Sequence, residues 1–502
     1  MKLGIRILLT LSLLAAACAR GVQAQTARGA ARADTPPRPF LSPCRAADFK
    51  TKAWCGSYEV YEDRASKRGR KISLNMVVLP AFAEKPAPDP IFFFAGGPGQ
   101  GSASVAGPVG EGPLARLRQE RDLVFIDQRG TGASNPLTCG IFADDNDLRA
   151  YLEDVFPVRQ VRECRERLEK VADLKLYTTS IAVEDLDEVR RALGYEKVNL
   201  YGGSYGTTVA LVYLRRYREH VRSAILAGVA PPNHKLPIPF AGGAQHAMNR
   251  LVADCADDAA CRAAFPNLRE EFRAVLDRLQ RAPASVELTN PFTGKPQRVR
   301  LARGPFTERL RLMLYSRNAA SMVPLLIHRA YQGDFRPFLL AALPQARNLQ
   351  RSISLGLYFT VTCSESVPFI TEEEVSRETD GTFIGDYRVR VHQRACREWA
   401  RADVPSRFTN AVSSDAPVLL LSGEADPASP HWLGAEAARH LPNGLQLTIL
   451  SGAHDYFSDC IGDITAEFLS RGSARGLNTI CISAVRRPPF VTTLPPALSP
   501  TQ

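Results

Sequence analysis

The chain has 502 residues, of which 45% are hydrophobic and 23% are charged, and its formal net charge is +11. This ordinary globular composition provides a sizeable core, and the length indicates two domains rather than one. Because the positive charge is spread along the chain and forms no basic run with interleaved aromatic residues, a nucleic-acid partner is not expected.

The first 24 residues have the pattern of an export signal. Lys2 and Arg6 precede the apolar run 7–19, which is too short to span a bilayer as a helix. A small-residue cleavage site ends at Ala24. We therefore expect residues 1–24 to be removed and the protein to be periplasmic or extracellular.

A lipoprotein processed just before Cys18 is the second interpretation of this N-terminus. It ranks lower because residues 15–17 are all alanine and lack the leucine that usually precedes such a cysteine. No other stretch of the sequence is long and apolar enough to span a membrane.

Cysteine usage agrees with export. Removing Cys18 with the signal leaves an even number of the 11 cysteines, which favours disulfides in an oxidising compartment. Sequence alone does not determine the pairing, so bridging between nearest neighbours is a hypothesis. The neighbouring couples are Cys44 and Cys55, Cys139 and Cys164, Cys255 and Cys261, Cys363 and Cys396, and Cys460 and Cys481. Neither C-x-x-C nor H-x-x-x-H occurs, so no metal site and no cofactor are predicted.

After a loose leader over residues 25–43, short apolar runs alternate with glycine-bearing loops and helical patterns. Strands are predicted at 57–62, 72–79, 91–94, 123–126, 198–201 and 223–226, and a helix between Ser180 and Gly194. This alternation predicts an α/β fold with a mostly parallel sheet covered on both faces. The loops after residues 94, 126 and 201 should then meet at one edge of the sheet.

The alternation stops at residues 231–232 and resumes near residue 418. Between them the pattern is mainly helical, with helices predicted at 241–253, 268–279, 308–315 and 322–331 and a hairpin around 291–295. Beyond them, strands at 418–421 and 445–450 precede a helix at 464–469. We therefore expect a core in two parts (25–232 and 411–485), a helical cap (233–410) and a proline-rich, extended tail (486–502).

One short stretch, residues 197–211, contains a G-x-S-x-G pattern centred on Ser204. A strand, a sharp turn and a helix in this order are typical of a nucleophile elbow, in which small neighbours let the chain close around a strained serine. The N-terminus of the following helix favours negative charge beside that serine. On the motif alone, a glycine-rich loop with an incidental serine is the alternative.

A reactive serine needs a base to accept its proton and an acid to orient that base. Asp426 and His454 each follow a predicted strand, and Ser204, Asp426 and His454 occur in the chain order expected for this class of sheet. We predict that these three residues form a catalytic triad. Glu424 is the alternative acid, and Asp426 could otherwise be an ordinary turn residue before a proline.

An oxyanion formed at the serine would need two backbone N–H donors. Tyr205, directly after the serine, is predicted to supply one of them. The second is expected from the loop at residues 96–99, where Pro98 has no N–H group; Gly97 is the first choice and Gly96 the second.

These motifs together resemble the proline iminopeptidase and tripeptidyl aminopeptidase family of α/β-hydrolases. The residues that carry the resemblance are GGPG at 96–99, DQRGTGAS at 127–134, GGSYGTT at 202–208, GEADPASP at 423–430 and SGAH at 451–454. The first motif usually begins with histidine, and here Ala95 stands in its place. The export signal, the cysteines and the large cap are more similar to the tripeptidyl aminopeptidase branch than to the small cytosolic enzymes.

The resemblance implies an α/β-hydrolase fold and a serine exopeptidase that releases residues or short peptides from free N-termini. Its partners would be peptide substrates; the sequence predicts no oligomeric state. Such an enzyme must bind an α-ammonium group, which requires a carboxylate in the cap. Glu365, which ends an apolar segment beside Cys363, is our hypothesis for this anchor, and a solvated loop glutamate is the alternative. Asp127 and Arg129 are expected to brace the rim rather than to react.

Two other functions stay open from sequence. A carboxylic ester hydrolase on the same scaffold is the second hypothesis, because a fold alone does not separate esters from peptides as substrates. A non-catalytic binding protein is the third, and the complete set of Ser204, Asp426 and His454 argues against it.

Overall fold

The computed structural model describes residues 38–44, 52–142, 144–152 and 155–498. The predicted signal peptide (1–24) and the alternative lipid attachment at Cys18 lie outside these residues. The end of the predicted loose leader is an edge strand, Leu41–Cys44, which pairs with Ala53–Gly56. In the described part of the chain, no helix is both long and apolar enough to cross a membrane.

The strands and helices are numbered in chain order. The strands are β1 Leu41–Cys44, β2 Ala53–Tyr61, β3 Lys71–Leu79, β4 Ile91–Phe94, β5 Leu123–Ile126, β6 Val198–Gly203, β7 Val221–Ala227, β8 Ala284–Thr289, β9 Pro296–Leu301, β10 Val418–Gly423 and β11 Gly444–Ile449. The helices before β7 and after β10 are α1 Ala106–Glu111, α2 Arg149–Leu152, α3 Val158–Leu168, α4 Thr179–Ala192, α5 Tyr205–Arg216, α16 His431–Ala438 and α17 Asp459–Arg471. The helices between β7 and β10 are α6 Pro239–Asp257, α7 Ala259–Ala264, α8 Leu268–Arg281, α9 Arg303–Met313, α10 Arg317–Ala320, α11 Val323–Tyr331, α12 Arg336–Ser352, α13 Leu355–Glu365, α14 Glu372–Thr379 and α15 Tyr387–Glu398.

Within the described residues, the central sheet has nine strands in the order β1-β2-β3-β5-β4-β6-β7-β10-β11. Strands β1 to β3 pair antiparallel with one another, and β3 pairs antiparallel with β5. The remaining pairs, from β5 across to β11, are all parallel. The predicted α/β fold with a mostly parallel sheet is therefore confirmed.

The buried apolar strands explain why the sheet has two covered faces. In β4, every residue is buried; Phe92 and Phe94 pack into one hydrophobic core and Ile91 and Phe93 into another. Since successive side chains of a strand point to opposite faces, these two cores lie on the two sides of the sheet. Near-continuous hydrophobic runs are typical of parallel strands that are covered on both faces.

The segment between β7 and β10 is mainly helical, as the sequence predicts. The four predicted helices are present as α6, α8, α9 and α11 with shifted ends, and the predicted hairpin is the antiparallel pair β8 and β9. Six further helices of the described residues in this segment, α7, α10 and α12 to α15, are not among the predicted ones. One of them, α13, is buried along its whole length, so its sequence has no polar face to reveal its period.

Five disulfides join the cysteines of the described residues, and the nearest-neighbour pairing is confirmed. The pairs are Cys44–Cys55, Cys139–Cys164, Cys255–Cys261, Cys363–Cys396 and Cys460–Cys481.

The proline-rich tail lies against the helical segment. The N–H of Val491 donates to the carbonyl of Ser321 at 3.1 Å, and Arg487 forms an ion pair with Asp254 at 2.7 Å. A short 3₁₀ helix at Ile480–Ala484 precedes this tail, and another occupies Pro496–Leu498.

Candidate active site

Ser204 lies at the sharp turn between β6 and α5. Its backbone has φ 55° and ψ −125°, a conformation that L-residues rarely adopt, as expected for a nucleophile elbow. The turn closes only because its neighbours lack side chains. A Cβ on Gly202 would lie 2.4 Å from the carbonyl oxygen of Gly206, and a Cβ on Gly206 would lie 2.0 Å from that of Phe94.

Asp426 is fully buried on the loop after β10, and both of its carboxylate oxygens are occupied. Oδ1 accepts the N–H groups of Ala428 at 2.8 Å and Ser429 at 2.9 Å. Oδ2 accepts the Ser429 hydroxyl at 2.9 Å, Nδ1–H of His454 at 2.7 Å and the Tyr456 hydroxyl at 2.7 Å. Burial alone would raise the pKa of Asp426, but the His454 imidazole and these hydrogen bonds outweigh it and hold the pKa below its ordinary value.

His454 is held from both the core and the cap. Its Nδ1 lies 2.7 Å from Asp426 Oδ2 and 3.2 Å from Ser429 Oγ. Its backbone N–H donates to the carbonyl of Tyr315 at 3.0 Å, and the two rings meet edge to face with centroids 4.9 Å apart. Because Nδ1 is engaged by the acid, Nε2 is the nitrogen left to accept a proton.

Ser204 and His454 both lie at the end of β7. The Ser204 N–H donates to the carbonyl of Ala227 at 2.8 Å, and a Cβ on the next residue, Gly228, would lie 3.0 Å from His454 Cε1. Among the residues that the structure describes, no hydrogen bond joins Ser204 Oγ to the imidazole. Such bonds commonly form or shorten only in the complex with substrate.

The alternative acid, Glu424, is placed elsewhere. Its carboxylate accepts the N–H of Ser451 at 3.0 Å, whereas Asp426 binds the histidine. The geometry thus brings together the acid and base that the sequence predicts, beside the turn that holds the serine.

Tyr205 and the glycine loop at residues 96–99 lie on two sides of the serine. Tyr205 is the first residue of α5, where a backbone N–H has no acceptor within its own helix. On the other side, a Cβ on Gly96 would lie 3.0 Å from Ser204 Cβ and 3.5 Å from Ser204 Oγ. The second-choice donor, Gly96, thus directly faces the serine, and the N–H of Gly97 belongs to the next peptide; the assignment to Gly97 stays a prediction.

The loop after β5, which carries Asp127 and Arg129, is fixed by buried polar contacts. Asp127 accepts the side-chain amide of Asn75 at 2.8 Å and the N–H groups of Ala103 at 2.8 Å and Ala133 at 3.0 Å. Arg129 is fully buried and forms two hydrogen bonds with Asp185, at 2.6 and 2.8 Å. Both side chains are therefore fully engaged in holding loops together.

Glu365 lies at the C-terminal end of α13 and is only 2% exposed. Its carboxylate accepts the backbone N–H and the hydroxyl of Thr179, both at 2.6 Å. The alternative of a solvated loop glutamate is wrong, because this side chain is enclosed in the protein. The role of substrate amine anchor stays a prediction.

Several residues of the site were not identified from the sequence. Ser429 lies three residues after Asp426, a spacing at which a turn can return a hydroxyl to an aspartate, so local turn chemistry could have identified it. Tyr315 and Thr179 are far from the motifs in sequence, and only the fold brings them to the site.

Comparisons with known proteins agree with this geometry. Residues 89–297 match a family model described as alpha/beta hydrolase fold, and residues 381–481 match one described as TAP-like protein. Serine protease Hip1 of Mycobacterium tuberculosis is 27% identical over 480 residues, which cover 86% of this chain and 88% of that protein.

Two further relatives match shorter parts of the chain. Proline iminopeptidase of Neisseria meningitidis is 29% identical over 156 residues, covering 31% of this chain and 37% of that protein. Tripeptidyl aminopeptidase of Streptomyces lividans is 32% identical over 133 residues, covering 24% of each chain. The chain therefore has an α/β-hydrolase fold and a TAP-like C-terminal region, and its resemblance to the proline iminopeptidase and tripeptidyl aminopeptidase family is confirmed.

Proposed function

We propose that the chain is an exported serine exopeptidase, of the prolyl or tripeptidyl aminopeptidase type, that hydrolyses peptides from a free N-terminus. The observation that carries the proposal is the 2.7 Å bond between Asp426 and His454 beside the strained turn at Ser204. A relative that matches 86% of the chain is named a serine protease, and two others are named a proline iminopeptidase and a tripeptidyl aminopeptidase.

In the proposed reaction, Ser204 Oγ attacks the scissile carbonyl carbon while His454 Nε2 accepts the hydroxyl proton. Asp426 holds Nδ1–H and stabilises the imidazolium that forms. The imidazolium then gives the proton to the leaving amine as the peptide C–N bond breaks, which leaves an acyl group on Ser204. A water molecule, activated by the same imidazole, attacks the acyl carbon and releases the free carboxylate.

The negative charge on the tetrahedral intermediate is stabilised by backbone N–H groups. The proposed donors are Tyr205 and Gly97, with Gly96 as the alternative that directly faces the serine. Each such donor typically contributes about 3 kcal/mol of transition-state stabilisation. The N-terminus of α5, a helix of 12 residues, adds a favourable field at the same place.

The proposal that the protein is exported depends on its disulfides. Disulfides are rare in reducing compartments, and the described residues contain five of them. We include in the proposal the cleavage of residues 1–24 as a signal peptide and a periplasmic or extracellular location; lipid attachment at Cys18 is the alternative. N-terminal sequencing of the exported protein separates the two.

The activity is tested with a fluorogenic panel that contains peptides with free N-termini, the same peptides with acetylated N-termini, and short acyl esters. We expect turnover of the free-amine peptides, loss of this turnover on acetylation, and covalent labelling by a fluorophosphonate. Ser204→Ala should abolish labelling and lower kcat by roughly five orders of magnitude. Turnover of esters alone would instead identify an ester hydrolase, and a wild-type protein without labelling or turnover would contradict both activities.

A further inference from the structure

A chain of short hydrogen bonds runs from the cap helix α13 to the residue that follows the proposed nucleophile. Glu365 binds the N–H and hydroxyl of Thr179 at 2.6 Å each, and Thr179 Oγ1 lies 2.5 Å from the hydroxyl of Tyr205. Thr179 is fully buried, and Tyr205 and Glu365 are each 2% exposed. An ionised Glu365 accepts the Thr179 hydroxyl proton, so the Tyr205 hydroxyl must then donate to Thr179 Oγ1.

Glu365 has no cationic partner among the described residues. Burial is the main influence on its pKa, which it raises to about 7, and only the hydrogen bonds from Thr179 oppose it. A carboxyl group is expensive to bury, so a structure that keeps it here without an ion pair must hold it by these hydrogen bonds.

The helix that carries Glu365 is held in place by burial, a disulfide and hydrogen bonds. Every residue of α13 is buried, and the disulfide Cys363–Cys396 ties it to α15. Two further hydrogen bonds hold the same half of the helix, from Trp399 Nε1 to Thr360 Oγ1 at 3.0 Å and from the Ala402 N–H to Ser364 Oγ at 2.9 Å.

The other end of α13 holds the opposite side of the proposed oxyanion site. The N–H of Ser354, directly before the helix, donates to the carbonyl of Gly99 at 2.9 Å, and Ile353 forms a β-bridge with Gln100. The start of α13 therefore contacts the glycine loop that contains Gly96 and Gly97. The end of α13 is linked to Tyr205 by hydrogen bonds through Thr179.

We propose that Glu365 is a positioning residue that acts through Thr179 and Tyr205 on the oxyanion site. We propose further that α13 sets the distance between the two N–H donors of the oxyanion site. This inference rests on the proposed serine hydrolase mechanism but not on peptides being the substrate. A side chain fixed at its hydroxyl end can shift its own backbone little, so the Tyr205 N–H stays aimed at the developing negative charge. Small displacements of such preorganised donors lower the rate of the chemical step.

The positioning role and the amine-anchor role of Glu365 would affect different substrates. A positioning residue changes the chemical step for every substrate, so it alters kcat for peptides and esters by the same factor. An amine anchor contributes binding energy only to substrates with a free N-terminus, so its loss raises KM for those substrates alone.

The test compares four variants of the full-length mature chain on a free-amine peptide and on a short acyl ester. Tyr205→Phe removes the hydroxyl but keeps the N–H donor, and Thr179→Val removes the connecting hydroxyl at equal size. Glu365→Leu removes the acceptor, whereas Glu365→Gln can still accept the Thr179 N–H and donate to its hydroxyl. Glu287→Leu, on the exposed hairpin strand β8, is the control.

We expect kcat to fall about tenfold for Tyr205→Phe, Thr179→Val and Glu365→Leu on both substrates, with KM within about twofold. Glu365→Gln should recover most of the kcat that Glu365→Leu loses, and the rate of phosphonylation by a fluorophosphonate should follow kcat. Unchanged kcat in Tyr205→Phe and Thr179→Val would overturn the inference, and these two variants decide it if Glu365→Leu does not fold.

A rise in KM confined to the free-amine peptide in Glu365→Gln would also overturn it, in favour of the amine anchor. The ester separates this failure from a failure of the proposed function. If the wild-type protein cleaves esters but no peptide, the exopeptidase assignment is wrong while the positioning role is still measured on the ester.

Discussion

The backbone N–H of His454 donates to the carbonyl oxygen of Tyr315 at 3.0 Å, so the loop that carries the proposed base is fixed by a residue of the cap. The Tyr315 ring also meets the imidazole edge to face. Its hydroxyl in turn accepts Nη1–H of Arg311 at 2.8 Å, and Arg311 pairs with the buried Glu308. The cap thus contacts His454 at both its backbone and its ring, in addition to the bond from Asp426.

This relationship predicts that the Tyr315 ring matters more for activity than its hydroxyl. Tyr315→Ala keeps the carbonyl but removes the ring, so the imidazole gains freedom and kcat should fall about tenfold. Tyr315→Phe keeps the ring and should change kcat less than about threefold. Steady-state kinetics of both variants on one substrate provide the measurement, and equal kcat values in the two variants would contradict a role for the ring.

The position of Gly228 beside His454 leads to a second prediction about the orientation of the imidazole. Its φ is +69°, and a Cβ there would lie 3.0 Å from His454 Cε1, Tyr456 Cε2 and Ser429 Oγ. Gly228→Ala should therefore displace the imidazole and lower kcat by at least about a hundredfold while the protein still folds.

Gly69 offers a matched control for this substitution. Its φ is +77°, but apart from its chain neighbours no atom of the described residues lies within 4 Å of a Cβ built there. Gly69→Ala should share the backbone strain, about 1 kcal/mol of unfolding free energy, but leave kcat unchanged. Comparable kcat values for the two alanine variants would show that the contacts at Gly228 do not position His454.

The parts of the site that lie in local motifs could be predicted from sequence. Ser204, Asp426 and His454 each follow an apolar strand, and strand ends of a parallel sheet meet at one edge, so their approach follows from the order of elements. The serine turn could also be predicted because only glycines at 202 and 206 allow the close backbone contacts found there.

The contacts that depend on the cap could not be predicted in the same way. Tyr315 and Glu365 reach the site through the packing of helices against one another, and helical periodicity gives the face of a helix but not its neighbour. For α13 even the face is hidden, because all of its residues are buried and the pattern has no polar side. The sequence suggested an anchor at Glu365 from chemistry alone, and the structure encloses this carboxylate beside Thr179.

The pKa of Glu365 predicts a specific pH dependence of stability. Burial raises this pKa from 4.5 to about 7, so between these values the folded protein holds a proton that the unfolded chain has lost. The free energy of unfolding should therefore fall as the pH rises through this window, by about 2 to 3 kcal/mol between pH 5 and pH 8.

Glu365→Gln removes the titrating group, and this part of the pH dependence should disappear. Denaturant unfolding at pH 5 and pH 8, with the disulfides intact, measures the difference for both proteins. Glu287→Gln, at a side chain that is 70% exposed, serves as the control and should keep the wild-type difference. The same change in stability between the two pH values for wild type and Glu365→Gln would show that Glu365 does not titrate in this window.

The disulfide Cys363–Cys396 predicts a combined effect on stability and rate. It closes a loop with a sequence separation of 33, whereas Cys255–Cys261 has a separation of 6. Loop-closure entropy assigns about 4 kcal/mol to the first and about 2 kcal/mol to the second. Replacing both cysteines of a pair by alanine should therefore lower the melting temperature more for Cys363–Cys396.

The two disulfide variants should also differ in catalysis. Of these two disulfides, only Cys363–Cys396 ends on α13, two residues before Glu365. Its loss should make the contact between Glu365, Thr179 and Tyr205 more mobile and lower kcat severalfold at a temperature where both variants are folded. The Cys255–Cys261 disulfide joins α6 to α7 and does not end on α13, so the variant that lacks it should keep the wild-type kcat. Circular dichroism melts and steady-state kinetics on the short ester provide the measurements. If both variants kept the wild-type kcat, the fixed position of α13 would not matter for the oxyanion site; if both lost it equally, the loss would reflect general destabilisation.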